Sequence, residues 1–172
     1  MNDYCICVFL LASLAVFPGC EKRNPSTPSP NRPSLPTQAQ GRLPTIKLWL
    51  GKEVLVTEMA LTREQQMAGM MFRTNMAENE AMIFVHPAPQ PAGFWMKNCS
   101  VPLSIAYLDT DGVILEIHDM QPHNTNSVVS TATNVRFALE TPQGWFLRHN
   151  VSTGAVIRTE RGSLAETFLR RP

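Results

Sequence analysis

From residue 43 onward the apolar positions recur at two different periods, and the switches between them mark out the elements. Ile46-Lys47-Leu48-Trp49-Leu50 and Glu53-Val54-Leu55-Val56-Thr57-Glu58 read as strands joined by a tight hairpin at Gly51-Lys52. Thr62-Arg63-Glu64-Gln65 has the form of a capping box, with Thr62 as the N-cap and Gln65 reaching back to it. In the helix it opens, Met67, Met70 and Met71 stand at i, i+3 and i+4, which predicts one apolar face packed on a sheet.

Beyond a polar stretch, Ala81-Met82-Ile83-Phe84-Val85 is a short apolar run that Pro87, Pro89 and Pro91 are expected to end. Phe94-Trp95-Met96-Lys97 is a further strand candidate. Leu103-Ser104-Ile105-Ala106-Tyr107-Leu108 alternates large and small, as a half-buried strand does. Asp109-Thr110-Asp111-Gly112 then turns the chain, and residues 113–118 return with Val113, Leu115 and Ile117 on one face and Glu116 and His118 on the other. After a polar loop over residues 121–133 come a strand (135–140), a short helix (144–149) and a last strand (155–159). The fold class expected is α+β: a compact single domain with a curved, partly barrel-like, mainly antiparallel sheet and two short helices. Its bounds are 43–164, with 165–172 as a tail.

Residues 4–17 (YCICVFLLASLAVF) are apolar without interruption, too short to span a bilayer and suited to a secretory signal. The Phe17-Pro18-Gly19-Cys20 that follows resembles the lipobox of bacterial lipoproteins, although Phe17 stands where Leu is usual and no Lys or Arg precedes the apolar run. Residues 1–19 are therefore expected to be a lipoprotein signal and Cys20 the lipidated N-terminus, with unlipidated export as the alternative. Residues 20–42 are read as a disordered Pro/Ser-rich tether with almost no apolar side chain to bury, expected to stay extended and mobile. The localisation expected is the bacterial cell envelope, outside the cytoplasm. The membrane is then the first partner, through the lipid on Cys20.

Composition narrows the partners. Lys and Arg number 15 against 14 Asp and Glu, with no long block of either sign, so no nucleic-acid footprint is expected. With Cys5 and Cys7 in the signal and Cys20 carrying lipid, Cys99 is left alone in the folded part, which excludes an internal disulfide there.

Several blocks in order, Gly69-Met70-Met71-Phe72-Arg73, Met82-Ile83-Phe84, Phe94-Trp95-Met96-Lys97-Asn98, Pro102-Leu103-Ser104-Ile105 and Ala138-Leu139-Glu140 before Gly144-Trp145, resemble the domain-of-unknown-function family 192. The resemblance covers about residues 54–158. It implies a compact α/β barrel-like fold in commonly exported proteins and no established reaction. Members usually carry Thr at the place of Cys99, Asp at Ser104 and Gly at Ala81. The Ser at 104 removes a carboxylate.

The candidate chemistry follows from residue types. A catalytic thiolate at Cys99 is set aside because the family's usual residue there is Thr. His118, Asp119 and His123 lack the spacing of a zinc site, and the methionines are accounted for by a core face rather than by copper. No metal, cofactor or catalytic residue is assigned. The ligand-binding candidates are Arg73, Trp95, Lys97, Asn98 and Glu140: an aromatic plate, a planar cationic fork, a second cation, an amide and a carboxyl. The competing structural reading pairs Arg73 with Glu140 as a buried ion pair and has Asn98 hold the loop before Pro102. The function expected is a non-catalytic, lipid-anchored envelope module binding a small polar ligand, a glycan or an envelope protein. The alternatives are a hydrolase-like enzyme using Glu140 with Arg73 or Asn98, and a purely structural lipoprotein.

Overall fold

The computed structural model describes residues 34–170. The expected signal, the lipidated Cys20 and the first part of the tether lie outside the described residues. β1 (Thr45–Leu50) and β2 (Glu53–Ala60) form the expected hairpin, with Leu50 facing Glu53 across a turn in which Gly51 takes φ 65°. The capping box at α1 (Arg63–Ala68) is complete: the Gln65 N–H donates to Thr62 Oγ1 at 3.3 Å and Gln65 Oε1 accepts from the Thr62 N–H at 3.0 Å. The helix is shorter than its methionine pattern implied. Gly69 ends it, and Met70 and Met71 are buried in the turn beyond rather than on a helical face.

β3 (Glu80–Gln90) runs parallel to β2 and antiparallel to β8 (Val135–Pro142). It passes through Pro87 and Pro89, where the sequence pattern ended it. The pairing to β2 stops at Phe84, and the ladder to β8 slips between Val85, which faces Phe137, and Gln90, which faces Val135. Residues 86–89 are out of register, so no ladder donor is lost at either proline. β5 (Leu103–Leu108) and β6 (Ile114–Met120) make the hairpin expected around Asp109–Gly112. A bulge between Tyr107 and Leu108 turns Leu115 and Ile117 to opposite faces, where the simple alternation had placed them together. β4 (Gly93–Phe94) pairs only with β7 (Val128–Val129), so the long polar loop is tied to the segment before Trp95.

The chain closes with α2 (Trp145–Arg148), β9 (Ile157–Thr159), β10 (Gly162–Ser163) and α3 (Leu164–Phe168). The helices number three among the described residues, against two expected. α3 opens with a second capping box, Ser163 to Glu166, a signal the sequence carried in a region read as the domain end and tail. Its Phe168 ring lies 6.0 Å from that of Phe137, so the helix packs on the domain.

The strand order is β10-β9-β1-β2-β3-β8-β5-β6, mixed but antiparallel at every pair except β2–β3, and the sheet does not close into a barrel. Both faces are covered. Ile83, Ala106, Leu108, Phe137, Leu139 and Trp145 belong to one core; Met82, Phe84, Leu103, Ile105, Tyr107 and Ala138 belong to the other. β5 is consequently buried along its whole length, not half-buried, because its two neighbours and both layers shield it. No helix among the described residues is long and apolar enough to cross a membrane.

Candidate functional site

β8 brings Glu140 to the middle of the sheet, between Met82 of β3 and Ile105 of β5, both fully buried. A carboxyl flanked this way loses its hydration. Burial pushes its pKa up to about 8, and the positive charge of Arg73 opposes the rise only in part. Its Oε2 has no hydrogen-bond partner among the described residues. At neutral pH Glu140 is therefore mostly the protonated acid, a hydrogen-bond donor rather than an anion.

A cavity of about 40 Å³ reaches this carboxyl, lined among others by Gly69, Met70, Phe84, Trp95, Lys97 and Cys99. That volume holds about one or two waters, or one functional group of a larger molecule. Trp95 is 40% exposed, and Lys97 Nζ stands 5.3 Å from the centroid of its ring, a cation–π contact. Phe94 ends β4, and the residues after it leave the strand their pattern suggested and turn at Lys97-Asn98. The Cys99 N–H donates to the Met96 carbonyl (3.0 Å), the Met96 N–H donates to the Asn124 carbonyl (2.8 Å), and the Met96 side chain is buried as the anchor.

Trp95, Lys97 and Glu140 are thus brought to one cavity; Asn98 and Arg73 do not line it. Asn98 holds φ 56°, in the left-handed region that Asn tolerates better than most residues, and its carbonyl accepts from the Phe72 N–H at 2.7 Å. Arg73 is spent elsewhere, and its expected pairing with Glu140 is corrected. Arg73 Nη1 and Nη2 fork onto Glu58 Oε1 (2.5 Å) and Oε2 (2.8 Å), with both side chains buried. Burial alone would raise the Glu58 pKa. Hydrogen bonds from Arg73, the Leu43 N–H (2.7 Å) and Arg42 (2.9 Å) more than reverse that and hold it at about 2. Through the same pair the end of the expected tether is fastened to the domain, since Gln40 Nε2 also donates to the Gln65 and Gly69 carbonyls.

Several polar side chains outside the cavity have partners of their own. Ser104 Oγ donates to Asp119, directly across the β5–β6 ladder, and accepts from the Gly144 N–H at 2.8 Å. A neighbouring strand thereby supplies a carboxylate beside the Ser that stands where relatives usually carry Asp. Cys99 is buried, and burial, helped by the Glu140 charge, pushes its thiol up to about 11. His118 Nε2 lies 3.0 Å from Glu116, and His149 lies between Glu53 and Glu78 at 3.2 and 3.0 Å. Among the described residues no three of His, Cys, Asp and Glu converge as a metal centre requires.

Sequence reasoning missed Glu58. The available signal was a carboxylate late in a largely apolar strand, but which cation it meets depends on the turn that carries Arg73.

A family model described as "Uncharacterized ACR", DUF192, matches residues 47–159. Two solved structures are similar. One is a Sinorhizobium meliloti 1021 protein described as "a putative transcription regulator", 29% identical, with a TM-score of 0.62, covering 67% of this chain and 92% of the other. The second is a Novosphingobium aromaticivorans DSM 12444 protein of unknown function, 27% identical, with a TM-score of 0.64, covering 67% and 86%. No curated protein matches the chain.

Proposed function

The chain belongs to the DUF192 family, and from that premise we propose that it is a non-catalytic binding module, carried outside the cytoplasm on a lipid at Cys20, that takes a neutral polar ligand over Trp95. One observation carries the reading: a protonated, unpartnered Glu140 at the floor of a cavity whose rim is the exposed Trp95 with Lys97. The cavity admits a single hydroxyl or amide, and the Trp95 ring offers a plate for the apolar face of a sugar. A glycan or cell-wall fragment combines those two features. The balanced charge of the chain supports a neutral partner over a nucleic acid.

The binding reading is favoured over the hydrolase alternative by the same geometry. Glycoside hydrolysis ordinarily needs two carboxyls, and Glu140 is the one carboxyl among the residues lining the cavity, while burial holds the Cys99 thiol protonated and so without nucleophilic character near neutral pH. The groups that alternative needed beside Glu140 are turned to other tasks: Arg73 is paired with Glu58, and Asn98 lies off the cavity.

Titration of the purified protein with N-acetylglucosamine oligomers and muropeptides, read by tryptophan fluorescence and amide shifts, tests the site. Binding that shifts residues 95–99 and is lost in Trp95→Ala is the expected result; saturable binding elsewhere, or none across the panel, overturns the ligand site. Palmitate labelling in cells, present in the parent chain and lost in Cys20→Ser, tests the anchor separately. Equal labelling of both, or of neither, overturns it.

A further inference from the structure

Where β3 slips out of its ladder with β8, an open groove of about 640 Å³ lies between α1, α3 and the two strands, with Leu61, Val85 and Phe168 as apolar walls. The polar residues along it are Arg63, Gln66, His86, Arg136 and Thr167. Two of them are already engaged: Gln66 Nε2 donates to the Ala60 and Val85 carbonyls at 3.2 and 2.9 Å, and Thr167 Oγ1 bonds to the Ser163 carbonyl and to Thr159. Arg63, His86 and Arg136 have no such partners.

Among the described residues Arg42, Arg73, Arg148 and Arg170 each have a carboxylate within 4 Å. Arg63, Arg136, Arg158 and Arg161 have none, and of these Arg63 and Arg136 line this groove, in which no acidic side chain takes part. Arg136 Nε and His86 Nε2 are also hidden from solvent without an acceptor. A buried guanidinium nitrogen left unpaired is costly, and a carboxylate is the partner whose two oxygens match its fork. His86 adds no charge of its own, because burial and the neighbouring Arg136 hold its pKa below the usual histidine value.

We propose that this groove binds a small amphiphilic carboxylate, its anionic head held by Arg63 and Arg136 and its apolar body laid against Leu61, Val85 and Phe168. The volume falls in the range of small-molecule sites, and neither a bare anion nor a bare hydrocarbon would use both kinds of wall. The groove shares Gln66 with the cavity at Glu140, but neither Glu140 nor Trp95 is among its walls.

Octanoate, octanol and inorganic phosphate, titrated in turn into the purified protein and followed by amide shifts, separate the terms. Octanoate should shift residues 61–66, 85–87, 136 and 167–168 and bind about tenfold tighter than octanol or phosphate. Arg63→Gln, at an exposed position that leaves the fold intact, and Arg136→Gln should each weaken octanoate by about tenfold with cooperative melting retained. Glu140→Gln should leave octanoate affinity unchanged while removing the titratable group from the other site. Equal affinity for octanol shows a merely greasy cleft, and equal affinity for phosphate shows a bare cation pair. Either result overturns the proposal, as does the absence of any shift in these residues.

Discussion

Replacing Glu140 by Gln tests the central electrostatic claim with little change of shape. The carboxyl has a pKa of about 8 in the fold against 4.5 for the ordinary group. Between those values the folded protein holds a proton that the unfolded chain has released. Stability must then fall as pH rises, at about 1.4 kcal/mol per pH unit. The amide of the variant cannot titrate, so between about pH 5.5 and 7.5 the parent protein should lose about 2–3 kcal/mol more stability than Glu140→Gln. Other groups do not disturb the comparison. His86, held neutral by burial, gives the opposite slope near its own range but is present in both proteins. Glu58 and Glu116, both held at about 2, lose their stabilising contribution only in acid below this window. Urea unfolding of both proteins at three pH values gives the double difference directly. Parallel pH profiles would refute the reasoning. Glu140 would then be an anion at neutral pH, and a cavity floored by a hydrogen-bond donor would have to be abandoned.

The remaining predictions address single groups. Arg73→Ala should cost about 2–4 kcal/mol in urea unfolding, since it takes the buried fork off Glu58 and leaves that carboxylate only its bonds from Arg42 and the Leu43 N–H; a loss under about 1 kcal/mol would mean the pair is not closed in solution. Asn98→Gly should be nearly neutral and Asn98→Ala should cost about 1 kcal/mol, because the position demands a positive φ; a sizeable and equal loss in both would assign Asn98 a side-chain role instead. Ser104→Ala should cost about 1–3 kcal/mol by leaving the Gly144 N–H without its acceptor, as thermal or urea melts will show. Native Cys99 should resist iodoacetamide at about pH 8, measured by peptide mass spectrometry, and react once the domain is unfolded, because burial lifts its thiol to about 11.

Local chemistry determined much of this protein before any tertiary contact. The Gly51-Lys52 and Asp109–Gly112 hairpins and the capping box at Thr62 depend on neighbouring residues only, and each stands where its turn or cap residues place it. The motif order identified the family without coordinates. Long-range packing decided the rest. The prolines at 87 and 89 signal a strand end, yet the strand continues because its ladder has already slipped there. The alternation of Leu103–Leu108 signals one buried face, yet β5 is covered on both because it is an inner strand of an eight-stranded sheet.

The candidate site divides the same way. Trp95, Lys97 and Glu140 were visible as residue types, and only the fold joins them at one cavity. Arg73 was equally visible but was assigned the wrong carboxylate. Glu58 and Glu140 both reach the interior, and nothing local separates a carboxylate that keeps its charge from one that gives it up. The choice rests on hydrogen-bond supply. Glu58 receives Arg42, Arg73 and the Leu43 N–H, so its charge survives burial; Glu140, between Met82 and Ile105, receives none and keeps its proton.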